Sequence, residues 1–146
     1  MKDLQYKIHI NAPKRKVWET MIQQDTYRQW TNASWPGSYY EGEWEKGEKI
    51  KFISKDGSGT LALIEECNPY DYIGAKHIAI LQKGGKEDHE SDMAKGWIGT
   101  LESYTFHEEN GETDLTATLV INPDWQKMFD DGFPGAFKKL KEICEV

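Results

Sequence analysis

The sequence predicts an α+β fold: an antiparallel sheet of about six to seven strands with one long C-terminal helix on its apolar face and two short helices after the first strand. Three observations predict it. The start and the middle of the chain alternate apolar and polar residues, the signature of half-buried strands. Short turn sequences separate these runs, so successive strands pair antiparallel. The end of the chain instead repeats Trp125, Met128, Phe129, Phe133, Phe137, Leu140 and Ile143 at steps of three and four, one stripe of a helix.

Each element has its own signal. Leu4, Tyr6, Ile8 and Ile10 alternate with polar residues and point inward on the first strand. Asn11-Ala12-Pro13 opens a helix with proline at its first position, and Val17, Trp18, Met21 and Ile22 form its apolar face. Asp25 is placed to cap a second helix carrying Tyr27 and Trp30 on one side. Tyr40, Gly42 and Trp44 share a parity, and Lys46-Gly47 turns the chain. Ile50 and Phe52 follow, with Lys49 and Lys51 facing water. Asp56-Gly57-Ser58-Gly59 and Asn68-Pro69-Tyr70-Asp71 are turns that bracket a strand from Leu61 to Cys67.

Tyr72 to Leu81 is a further strand; with Lys76 outward, Ile73, Ala75, His77 and Ala79 point in. One of Glu65 and Glu66 must face inward if its strand is regular, and periodicity leaves open which. Gln82 to Gly96 reads as a long polar loop, and Trp97 to His107 as renewed strand. Asn110-Gly111 makes a hairpin, and Leu115, Ala117, Leu119 and Ile121 line the last strand. Asn122-Pro123 starts the final helix, which Pro134 should kink or loosen.

The 146 residues suit a single domain, 1–146, with one core. Acidic residues number 25 against 18 basic ones, a net charge of −7. That balance argues against a nucleic-acid partner, which needs phosphate neutralisation, and against docking on anionic membranes. No run approaches the roughly 20 apolar residues of a membrane span, and Met1 to Tyr6 has no apolar leader. Cys67 and Cys144 are far apart and show no CxxC spacing, so reduced thiols in a cytoplasmic protein are expected. An exposed strand edge or the Trp35-Pro36-Gly37 segment could support a homodimer.

The chemistry-bearing residues are mostly rings. Tyr40, Trp44, Phe52, Met128, Phe129, Phe133 and Phe137 can face the space between sheet and helix, with Trp30 and Trp35 closing one end. They read either as a solid core in which the rings simply touch, or as a pocket for a small hydrophobic or aromatic molecule. His77 and Glu102 fall on inward parity, Glu102 sharing it with Tyr104 and Phe106. An inward carboxylate needs partners, so this group is an internal hydrogen-bond network, a polar anchor for a ligand, or an acid–base pair.

Asp88, His89, Glu90 and Asp92 cluster in the polar loop but match no metal-binding spacing, and no cofactor is expected. Lys83-Gly84-Gly85-Lys86 resembles a hairpin turn rather than a phosphate loop, and neither GxSxG nor HExxH occurs.

Several strings, in order, resemble the START/Bet v allergen-like (SRPBCC) superfamily. Within it the chain is similar to the bacterial branch named after the activator of the heat-shock protein 90 ATPase. They are Ile10-Asn11-Ala12-Pro13 with Val17-Trp18, then Tyr27-Arg28-Gln29-Trp30, then Gly37-Ser38-Tyr39-Tyr40 with Trp44 and Gly47. Gly59 with Ile64-Glu65-Glu66, Lys76-His77, Glu102-Ser103-Tyr104-Thr105 and Phe129…Phe133-Pro134…Leu140-Lys141 complete the series over nearly the whole chain. The resemblance implies a helix-grip fold, a curved sheet wrapped around the C-terminal helix and enclosing an apolar cavity. With that cavity the leading expectation is a binding protein for a hydrophobic ligand rather than an enzyme, since no recognisable acid–base or metal motif is present. The alternatives are a chaperone-regulating interaction module and a cyclase- or hydratase-like enzyme using the same cavity.

Overall fold

The computed structural model describes residues 1–146. Strand β1 (Lys2–Ile10) leads into helices α1 (Lys14–Ile22) and α2 (Gln24–Asn32). Strands β2 (Tyr39–Gly42), β3 (Lys49–Ile53), β4 (Gly59–Asn68) and β5 (Tyr72–Leu81) follow, then a two-residue strand β6 (Glu87–Asp88) and a short helix α3 (Asp92–Trp97). Strands β7 (Leu101–Glu109) and β8 (Glu112–Ile121), a 3-10 turn (Pro123–Trp125) and helix α4 (Gln126–Cys144) complete the chain. All strand pairings are antiparallel, in the order β1-β8-β7-β5-β4-β3-β2, with β6 on β5.

The helix α4 lies on the apolar face of this sheet, as the stripe requires. Phe129, Phe133, Ala136, Phe137, Leu140 and Cys144 are buried, and the helix runs on through Pro134. Leu115, Ala117, Leu119 and Ile121 on β8 are fully buried beneath it, with Ile10 of β1 and Val17 of α1. Each large side chain buried this way contributes roughly 1.5–3 kcal/mol. Trp18 packs on Tyr70 and Phe106 and closes that end of the core. The β7–β8 hairpin turns through Asn110 and Gly111, both at positive φ (55° and 78°), the pairing a two-residue turn demands.

Two bulges change which residues face the helix. Ile64 pairs with Ala75 and Glu66 with Gly74, leaving Glu65 as an extra residue. The bulge lets both glutamates stay exposed, and Glu66 meets Lys46 at 2.8 Å, so neither points inward. The second bulge lies at Ile78, between the pairs His77–Ala62 and Ala79–Leu61. It reverses the parity of β5 beyond His77. Ala79 is buried with Leu61 and Leu81 in a small separate cluster, and Ile80 replaces it in the main core.

Other local expectations are corrected by backbone geometry. Pro13 is the extended residue just before α1, and Gln23, not Asp25, precedes α2; Asp25 sits in the first turn of α2 and makes no side-chain cap. Strand β2 ends at Gly42, whose φ is 127°, so Trp44 follows the strand rather than belonging to it. The polar segment after β5 contains β6 and α3. Asp88 accepts a hydrogen bond from the Ser91 hydroxyl at 2.6 Å, and Ser91 caps α3 by accepting from the Ala94 N–H at 3.1 Å. Trp97 therefore ends a helix and does not begin a strand.

Candidate functional site

Between α4, α2 and the β3-β4-β5-β7 part of the sheet lies a cavity of about 580 Å³. That falls within the roughly 300–1,000 Å³ of small-molecule sites. Much of its wall belongs to one closed circuit of rings, in which Tyr40 and Phe137 stand behind the lining. Trp44, Phe52, His77, Trp97, Phe129, Phe133, Phe137, Trp30, Tyr27 and Tyr40 touch in that order, and Tyr40 returns to Trp44. Neighbouring centroids in this belt are 4.7 Å apart at the closest, His77 to Trp97, and 6.3 Å at the widest, Trp30 to Phe137. The rings thus both meet one another and leave room inside.

The floor is polar because β7 alternates. Glu102 and Tyr104 sit two apart on its inward face, in register with Ala75 and Ile73 of β5. His77 stands two residues beyond Ala75, where β5 exchanges backbone hydrogen bonds with Thr100 and Gly99 and α3 leaves the sheet. His77 Nε2 lies 3.0 Å from Glu102 Oε1, and the Tyr104 hydroxyl donates to Glu102 Oε2.

Burial pushes the Glu102 carboxyl upward, but the bond and charge interaction with His77 and the Tyr104 hydroxyl outweigh it and hold the group below the ordinary carboxylate range. Burial, and after it the charge of the same carboxylate, pushes the Tyr104 and Tyr27 hydroxyls up, so both stay protonated donors. Three buried nitrogens lack a hydrogen-bond partner: His77 Nδ1, Trp97 Nε1 and Trp44 Nε1. The Trp44 N–H faces the Tyr40 hydroxyl without the geometry of a bond.

Of the residues singled out by sequence, Trp30, Trp35, Trp44, Phe52, His77, Glu102, Tyr104, Met128, Phe129 and Phe133 line the cavity. Tyr40 and Phe137 do not. The Tyr40 hydroxyl donates instead to the Ile22 carbonyl, and Phe137, one turn beyond Phe133, packs behind Trp30. Trp35 reaches the lining because residue 132 is glycine: a Cβ there would stand 2.3 Å from the Trp35 ring. Met128 (42 % exposed) and Met93 of α3 (54 %) line the cavity while open to water, so they mark its mouth.

Sequence reasoning missed Tyr27, Ile80, Met93, Trp97 and Trp125, which also line the cavity. For Trp97 the missed signal was Ser91 ahead of Ala94 and Trp97, a cap followed by two apolar residues three apart. Ile80 was hidden by the bulge at Ile78. No three metal-ligating side chains converge: Asp88 is engaged by Ser91, and His89 pairs with Glu87 at 3.1 Å. Cys67 and Cys144 are free thiols. No helix is long and apolar enough to cross a membrane.

Comparison with solved structures shows the same fold. The Aha1 dimer from Colwellia psychrerythraea matches with a TM-score of 0.75 at 18 % identity, over 100 % of this chain and 98 % of that one. A protein from Chromobacterium violaceum matches at 0.71 and 14 %, over 99 % and 97 %. DynU16, a protein in the dynemicin biosynthetic locus, matches at 0.73 and 15 %, over 100 % of this chain but only 48 % of its own length. No curated protein matches the sequence. The model of one family, described as activator of Hsp90 ATPase homolog 1-like protein, matches residues 11–145, and the chain belongs to that family.

Proposed function

We propose that the protein binds a small hydrophobic or aromatic molecule in the ring-lined cavity, without transforming it. The observation that carries this reading is the 580 Å³ space walled largely by touching rings, with His77, Glu102 and Tyr104 bonded together on its floor. Apolar walls supply affinity, and a few placed polar groups orient the ligand. Trp30, Trp35, Trp44, Phe52, Phe129 and Phe133 would contact its body, and His77, Glu102 and Tyr104 its polar end. Met128 would stand at the entrance, with Tyr40 and Phe137 backing the wall.

The reading places the protein in the cytoplasm with both thiols reduced, and takes a second copy of the chain as its protein partner, as in the Colwellia Aha1 dimer. Gel filtration tests the dimer.

A thermal-shift panel of naphthalene-sized and lipid-like compounds tests the binding. Some should raise the melting temperature and quench tryptophan fluorescence. A broad panel with neither effect would sink the proposal.

The buried pair of Glu102 and His77 favours one second reading, acid–base catalysis in the same cavity. It requires turnover of a bound compound that His77→Ala abolishes while the fold persists. A chaperone-regulating role is the remaining alternative, and near-stoichiometric recovery of a chaperone with the protein would support it.

A further inference from the structure

The cavity has a sign. Among its lining residues the acidic side chains are Glu102 and Asp88, and no lysine or arginine reaches it. Asp88 is occupied by Ser91 and two backbone N–H groups. Glu102 is different. Its carboxylate has roughly four lone-pair positions, and two are used, by His77 Nε2 and the Tyr104 hydroxyl. Its side chain is 17 % exposed, enough for a ligand atom to reach it. His77 Nε2 is turned to the carboxylate, and Nδ1 on the same ring is buried without a partner. The floor therefore offers unused carboxylate lone pairs with no lysine or arginine beside them, and the walls around it are aromatic.

We propose that the cavity selects small aromatic molecules that donate a hydrogen bond, a phenol or an amine, and rejects carboxylates. The inference rests on the binding reading above and deepens it. A donor placed against Glu102 fills an empty lone pair of an ion, which is stronger than a neutral contact. An amine gains further from the ring faces. A carboxylate in the same place meets a like charge at low dielectric with no lysine or arginine in the lining to offset it, and the net charge of −7 adds to the penalty.

The test uses the full chain and three probes of one shape: naphthalene, naphthol and naphthoate, titrated by calorimetry at neutral pH. Naphthol should bind about tenfold more tightly than naphthalene, the usual worth of a hydrogen bond to a charged group, and naphthoate more weakly than either. In Glu102→Gln the advantage of naphthol should shrink and naphthoate should recover to the level of naphthalene. The wild-type order stands as a test even if that variant does not fold. Naphthoate binding as tightly as naphthol overturns this inference and leaves cavity binding intact. No binding of any probe overturns both.

Discussion

The two halves of α4 face opposite solutions to the same packing problem. From Ala136 to Cys144 the helix meets α1, β1 and β8, and Ala136, Leu140, Val17, Ile10, Leu115, Leu119 and Ile121 are all essentially fully buried. From Met128 to Phe133 it meets rings, and a 580 Å³ space is left between them. Branched aliphatic side chains interdigitate to crystal-like density. Rigid rings, several of them edge to face at centroid distances of 5.1–5.6 Å, brace each other and stop short of filling the middle. One amphipathic stripe thus builds a solid core at one end and a frame at the other.

That contrast can be broken by substitution. Leu140→Ala, in the solid half, should cost about 3–4 kcal/mol in urea denaturation, whereas Phe129→Ala, facing a space that already exists, should lose little beyond the transfer of the ring, about 1.5–3 kcal/mol. Equal losses would mean that the two halves are packed alike.

Glu102→Gln should cost about 2 kcal/mol at neutral pH, since it leaves His77 and Tyr104 with a neutral acceptor. The sign of its pH dependence follows from the carboxyl being held low in the folded protein. The contribution is complete above the unfolded glutamate value of about 4.3 and is lost as the pH falls through the lower folded value. Stability curves of wild type and variant should therefore converge in acid; a gap that widens there would contradict the ionised carboxylate.

Gly132→Ala pushes a methyl group against the Trp35 ring and should cost about 1 kcal/mol. It should also shift the fluorescence of a tryptophan at the cavity wall. Met93→Ser at the mouth should change stability by less than about 0.5 kcal/mol, because the side chain is already half in water.

The solid half was the more legible in sequence. The alternation in β1 and β8 and the steps of three and four in α4 are local patterns, and burial follows them residue by residue. The frame half depends on features without a local signal. The bulges at Glu65 and Ile78 arise from fitting β4 to β5, and they decide that both glutamates stay in water and that Ile80, not Ala79, faces the core. Helix α3 has only Ala94 and Trp97 as buried apolar residues, too few to show a period, so it read as loop. The polar floor was visible, because Glu102 and Tyr104 share a parity within one strand. Its closeness to His77 needed the register between β5 and β7, which inward parity alone does not give.

The central claim is that apolar ligands enter one end of this molecule and not the other. Methyl-resolved NMR during a naphthol titration tests it most directly. Resonances of Met21, Ile80, Met93 and Met128, which line the cavity, should move in a saturable way. Those of Leu115, Leu119 and Leu140 in the solid half should stay in place. Shifts at the three leucines with the cavity methyls unmoved, or no shift at saturating naphthol, would contradict the account.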